Sequence, residues 1–160
     1  MEKETYELLD TAIKIGLGAL IAGISAYFLS IRNLKNDLRK RALADRNDLI
    51  KEFAFKLEEI EARSNESALF FTSGDLSGAK KSMIPVSEAA YHSRAISNII
   101  GDDNLLNDIE GICVITENIF HELSEDKPNI QKINNLDKAL KEKKTKTYPH
   151  IRKAYNETNA

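Results

Sequence analysis

The sequence predicts an all-α protein, with one N-terminal transmembrane helix continuing into a cytoplasmic helical bundle whose first helix is long. Three observations carry that expectation. Ile15–Ile31 reads IGLGALIAGISAYFLSI, seventeen residues without a charge. The 160 residues include only three prolines, seven glycines and no tryptophan, while Ile, Leu, Ala, Asn, Lys and Glu abound with little alternation of strand type. Farther along, apolar residues recur at three- and four-residue intervals, in segments punctuated by glycine, proline and aspartate.

The first element is the span. Written as a helix over Thr11–Ile31, with Lys14 snorkelling, it rises about 1.5 Å per residue and covers roughly 30 Å, the thickness of a bilayer's hydrocarbon core. A secretory signal would need a basic leader and a small-residue cleavage site, whereas this chain opens MEKETYELLD and the run ends AYFLSI. A buried core helix is the other rival, but such helices usually keep a polar face. Before the span stand Lys3 and Lys14 against Glu2, Glu4, Glu7 and Asp10; after it stand Arg32, Lys35, Arg39, Lys40 and Arg41 against Asp37. The positive flank belongs inside, so residues 1–10 are expected outside a plasma or bacterial inner membrane and the remaining chain in the cytoplasm. The same five cations are placed to contact anionic headgroups of the inner leaflet. A single cysteine, Cys113, forms no internal disulfide, in keeping with a reducing compartment.

Small residues mark one side of the span. Gly18, Ala22 and Ala26 recur every fourth position, with Ala19 and Gly23 on an adjoining line, which would let a second helix approach closely. Residues 32–72 follow without proline or glycine and read as a juxtamembrane helix or stalk. Leu43, Leu49, Ile50, Phe53, Leu57, Ile60, Ala68 and Phe71 fall on one broad face, with the heptad pattern of a coiled coil holding for only a few turns. The breakers in SGDLSG then predict a loop over 73–84.

Residues 85–147 supply the remaining helices. Pro85 is expected in a first turn, with Val86, Ala89, Ala90, Ser93, Ile96 and Ile100 inward and Gly101 ending the helix. Asp102 or Asp103 caps the next, whose stripe runs through Leu105, Ile109, Ile112, Thr116, Ile119, Phe120 and Leu123. After Pro128, Ile130, Ile133, Leu136, Ala139 and Leu140 form a thinner stripe. Pro149 is expected to break it and leave residues 148–160 as a loose basic tail.

No catalytic, cofactor or metal site is expected. Glu88 with His92 and Glu117 with His121 are Glu-x-x-x-His pairs, but di-iron bundles use a spacing one residue shorter and these groups project away from the apolar stripes. Cys113 sits beside an apolar stripe, as a small hydrophobe does. The SGD and SGAKKS segments look superficially like phosphate loops, yet the Walker spacing and a preceding strand are missing.

Charge is segregated along the chain. Arg32–Arg46 holds six basic residues and two Asp, net +4; Lys138–Lys153 holds seven basic residues and one Glu, net +6; Asn47–Asp137 holds eight basic and seventeen acidic residues, net −9. The second basic group could be a solvated helix end, face the leaflet, pair with the acidic bundle of a neighbouring copy, or bind nucleic acid; nucleic acid is least favoured, since only Tyr148 and Tyr155 supply aromatics nearby. The expectation is a non-enzymatic, single-pass anchor, adaptor or sensor subunit that acts by binding a protein partner or as a homo-oligomer, with no small-molecule substrate evident. A membrane effector that assembles through the span and permeabilises the bilayer is the alternative, and a helical-bundle metal enzyme the third.

Overall fold

A computed structural model describes the backbone of residues 2–159 and the side chains of residues 14–158. The side chains of the acidic leader, Lys3 and Thr11 lie outside the described residues. Among those described the chain is all-α, with four helices and no strand: α1 (Glu2–Thr72), α2 (Leu76–Ile100), α3 (Asp103–Glu122) and α4 (Ile130–Asn159). It divides into two compact units, Met1–Ala42 and Leu43–Ala160.

The first unit is helical and uncovered. Every residue from 14 to 30 is exposed, including Ile15 at 68% and Phe28 at 66%. Its apolar groups surround the helix, so no polar face sets one side apart from another.

The second unit is a four-helix bundle with a clear inside. Ser67 bonds Ala79 and Glu52 meets His92, so α1 and α2 run antiparallel. Arg94 with Glu110, and Tyr91 with Glu117, set α3 antiparallel to α2; Asp108 with Lys143, and Glu122 with Lys132, set α4 antiparallel to α3. Ser64 with Asp137 and Lys144 with Glu58 bring α4 back against α1 and close the ring. Ile50, Phe53, Leu57 and Ile60 are the buried apolar groups of α1; Met83, Val86, Ile96, Leu105, Ile109 and Ile112 face them from α2 and α3. At roughly 1.5–3 kcal/mol for each large side chain removed from water, this shared core is the main stabilising term.

The second and third helices follow their sequence signals closely. Gly101 terminates α2 at φ +71°, a left-handed conformation in which glycine carries no Cβ penalty, and its N–H bonds the Ser97 carbonyl at 3.0 Å. Asp102 caps α3 by accepting the backbone N–H groups of Asn104 and Leu105. All six inward positions read from α2 are buried, as are Leu105, Ile109, Ile112, Thr116, Ile119 and Leu123.

Three boundaries differ from expectation. The loop is Ser73–Asp75 rather than 73–84, because the Asp75 carboxylate caps α2 through the Gly78 N–H at 2.8 Å, while buried Ala79 and Met83 draw the first turns onto the core. Gly78 is therefore no breaker: a Cβ there would lie 2.9 Å from the Phe70 ring and against the capping carboxylate. Pro85 consequently falls inside α2. The expected loose tail is also helical, with Pro149 inside α4, since Ile151, Ala154 and Thr158 are buried and offset the backbone bond that proline cannot donate. Finally, Ile130 is 63% exposed and is no part of the core; the inward row of α4 begins at Ile133.

Candidate functional site

Two regions carry the chemistry that distinguishes this chain. The first is the uncharged run of α1. Gly18, Ala19, Ala22, Gly23 and Ala26 are all exposed, and a Cβ built on Gly18 or Gly23 would meet nothing within 4 Å. This side of the helix is bare enough for a second backbone to approach. Arg32, Lys35, Arg39, Lys40 and Arg41 are likewise exposed, on the turns that follow the run. At 3.6 residues per turn Arg32, Lys35, Arg39 and Lys40 fall on one broad side of the helix and Arg41 on the opposite side.

The second region is the charged seam that α4 presents to the bundle. Its inward positions follow the same three-four spacing as a core stripe: Ile133, Asp137, Leu140, Lys144, Thr147, Ile151, Ala154 and Thr158. Half of them are polar. Lys144, whose side chain is only 7% exposed, donates to Glu58 at 2.9 Å and also to Glu61, and its ammonium lies 5.3 Å from the Tyr148 ring centroid. Tyr148 donates its hydroxyl to the other oxygen of Glu58. Burial works to lower the Lys144 pKa, yet its bonds with Glu61, Tyr148 and Glu58 outweigh that and hold it well above its usual 10.5. The Tyr148 bond, followed by that from Lys144, in turn keeps the Glu58 carboxyl below its usual range.

One turn away on the neighbouring helix, buried Asp108 takes two partners from α4. Its oxygens meet Lys143 Nζ at 2.8 Å and His150 Nδ1 at 2.5 Å. A second buried acid, Glu122, accepts the Asn129 backbone N–H at 2.9 Å and Lys132 Nζ at 2.5 Å; Lys132 first and Asn129 second hold its carboxyl below the usual range. The Asn129 side chain then caps α4 through the Lys132 N–H. Glu122 thus fixes the turn into the last helix from both ends.

The basic stretch of α4 consequently finds partners within its own chain. Lys141 pairs with Asp137 at 2.7 Å, Lys143 with Asp108, and Lys144 with Glu58 and Glu61. Lys138 and Lys153 face Glu142 and Glu157 one turn on. The segregation of charge in the sequence is therefore in part an intramolecular complementarity, carried by Lys141, Lys143 and Lys144, which the expectations for this segment did not include.

The two Glu-x-x-x-His pairs do not converge. His92 Nε2 faces Glu52 at 3.3 Å, His121 Nδ1 faces Glu125 at 3.3 Å, Glu117 accepts from Tyr91, and Glu88 is exposed. Among the described residues no three His, Cys, Asp or Glu side chains group as metal ligands would. Burial pushes the Cys113 thiol up, away from the thiolate that nucleophilic chemistry requires. Two gaps beneath α4 measure about 20 and 10 Å³, room for roughly one water at most.

Comparison of the chain with protein-family models, with curated proteins and with solved structures returns no match. What the chain does must be argued from these two regions.

Buried Ser64 and Ser67 of α1, with Asp108, Glu122, Lys144 and Thr147, are the residues that a tally of apolar positions misses. Their signal is positional. Ile50, Phe53, Leu57, Ile60, Ser64, Ser67 and Phe71 keep one uninterrupted three-four rhythm once small polar residues are allowed into it.

Proposed function

We propose that residues 11–31 anchor the chain in a membrane, with the N-terminus outside, and that the bundle is a cytoplasmic interaction domain of a non-enzymatic anchor, adaptor or sensor subunit. The observation that carries this reading is the conjunction of an uncharged run with complete exposure: a helix apolar all round, with residues 14–30 uncovered, leaves a large surface whose natural solvent is lipid. A core helix of a soluble bundle would bury that surface against protein. The change from acidic leader to Arg32, Lys35, Arg39, Lys40 and Arg41 gives the orientation, and the same cations rest on anionic headgroups of the inner leaflet.

Non-enzymatic action is supported by the use of the buried charges. Asp108, Glu122 and Lys144 are each committed to contacts that hold one helix against another, and the cysteine thiol is pushed away from reactivity. Confinement to a membrane raises the local concentration of the domain, so a modest interface with a partner protein or a second copy gains effective affinity.

Two measurements test this. Alkaline extraction of membranes should leave the chain in the pellet, and a reporter fused at the C-terminus should respond as a cytoplasmic one; a chain released into the supernatant ends the anchoring model. Affinity purification in mild detergent with mass spectrometry should then recover a stoichiometric partner or a discrete homo-oligomer.

The bare face at Gly18, Ala22 and Ala26 favours a second reading, in which copies assemble through the span and permeabilise the bilayer. Gly18→Leu with Ala22→Leu separates the two: an effector loses assembly and leakage of dye from vesicles, whereas an adaptor keeps its membrane fraction and its partner.

A further inference from the structure

The last helix is attached to the bundle differently from the others. In α3 the central inward row Leu105, Ile109, Ile112, Thr116 and Ile119 contains one polar residue, and its buried acids Asp108 and Glu122 pair with α4, whereas in α4 the inward row is half polar. Eleven positions separate Leu140 from Ile151, and the inward places between them belong to Lys144 and Thr147. Along that stretch charge holds the helix: Lys144 to Glu58 and Glu61, and Lys143 and His150 to Asp108. Pro149 lies in the same stretch and leaves the carbonyl four residues earlier without its helical donor.

We infer that α4 is a charge-latched strap, which opens ahead of the rest of the bundle and uncovers an apolar channel with an acidic rim. The floor of the channel is the surface that α4 covers. Leu140 and Lys144 lie against Ile60 and Ser64, and Ile133 lies against Met83, Ile119 and Leu123. Its rim is Glu58, Glu61 and Asp108, the acids that the strap neutralises when closed.

Two physical asymmetries make the strap selective. Apolar contacts are indifferent to moderate salt, while ion pairs weaken once ions reach either partner. Here the partners are reachable: Glu58 is 60% exposed although Lys144 is 7% exposed, and His150 is 39% exposed although Asp108 is 8% exposed. Removing a buried ammonium from water also costs more than its Coulombic return unless the geometry is good, so the latch contributes little net stability while it fixes register. The α2 and α3 seam depends on salt less, because its ion pair, Arg94 with Glu110, lies on the exposed side and buries no charge. Opening α4 therefore exposes a new surface without dismantling the core, the arrangement expected of a locally unfolding unit that gates access. The strap is independent of whether residues 11–31 anchor the chain.

Hydrogen exchange read by mass spectrometry on the full chain in neutral-detergent micelles tests this directly, at about 50 and about 500 mM NaCl. Backbone amides of residues 139–157 should exchange about tenfold faster than those of residues 105–119 at low salt, and salt should widen the gap severalfold. Lys144→Met keeps most of the unbranched stem and removes the buried charge, so it should slow exchange in α4 and flatten its salt response. Asp108→Asn leaves Lys143 and His150 without their carboxylate and should accelerate exchange in α4 alone. One common rate for α3 and α4 at both salt concentrations overturns the strap, as does a salt response that Lys144→Met leaves unchanged.

Discussion

Helix α1 contains two apolar stretches that meet opposite fates. From 15 to 31 apolar residues occupy every side of the helix and all but Ile31 are exposed; from 50 to 60 the row Ile50, Phe53, Leu57 and Ile60 is buried, while Phe55 outside it is exposed. Composition already separates the two, since the first stretch has no charge while the second carries Lys51, Glu52, Lys56, Glu58 and Glu59 between its buried residues. Periodicity does so as well, because a single stripe can be covered by neighbouring helices while an all-round apolar surface needs a continuous apolar surrounding. The first stretch is the one that the anchoring proposal gives to a membrane, and the second is the one that folding covers.

The contrast is broken most directly by truncating one aromatic in each stretch. Phe53→Ala removes a fully buried ring and should cost the bundle about 3–5 kcal/mol in chemical denaturation, whereas Phe28→Ala, at a position 66% exposed, should leave the midpoint within about 0.5 kcal/mol. Equal losses at the two sites would erase the distinction. A charge placed in each stretch should give the reverse ranking for membrane association. Ile21→Arg, at the centre of the span, opposes insertion by about 2.5–3.5 kcal/mol and should shift protein into the alkaline extract, while Phe55→Arg on the exposed side of the bundle should not.

Two smaller effects sharpen the description of the bundle itself. Gly78→Ala should cost about 1 kcal/mol despite alanine's higher helix propensity, because the added methyl displaces the Asp75 cap and presses on Phe70; a stabilised variant would show that the cap yields. Glu122 supplies the smallest. Its carboxyl is held low by Lys132 and Asn129, so its contribution is present above the ordinary carboxylate pKa of 4.5 and is lost as pH falls through the lower native value. The urea midpoint of the native chain should therefore drop more steeply below pH 4.5 than that of Glu122→Gln, and parallel slopes would show that the Glu122 carboxylate does not stabilise the turn into α4.

Apolar spacing made α3 and the part of α2 from Pro85 onward legible, because each has a full stripe and they meet at a clear break: Gly101 is a left-handed C-terminal glycine and Asp102 an N-cap. It failed where a residue has two local meanings. Gly78 reads as a breaker in isolation, yet beside an aspartate three residues earlier it is the space a cap requires. Pro149 reads as an end, yet buried Ile151 and Ala154 carry the helix past it. Lys144 reads as a solvated cation, and no local pattern announces that Glu58 and Glu61, more than eighty residues earlier, sit across from it.

The sequence by itself determined the helical class, the uncharged run and the strength of the central helices, since each depends on neighbours within a few turns. Tertiary structure decided which charges are interior, where α4 ends and which polar residues complete the core rows. Those outcomes depend on the desolvation and pairing of groups far apart in the chain, and a lysine becomes a buried latch only when folding brings its carboxylates to it.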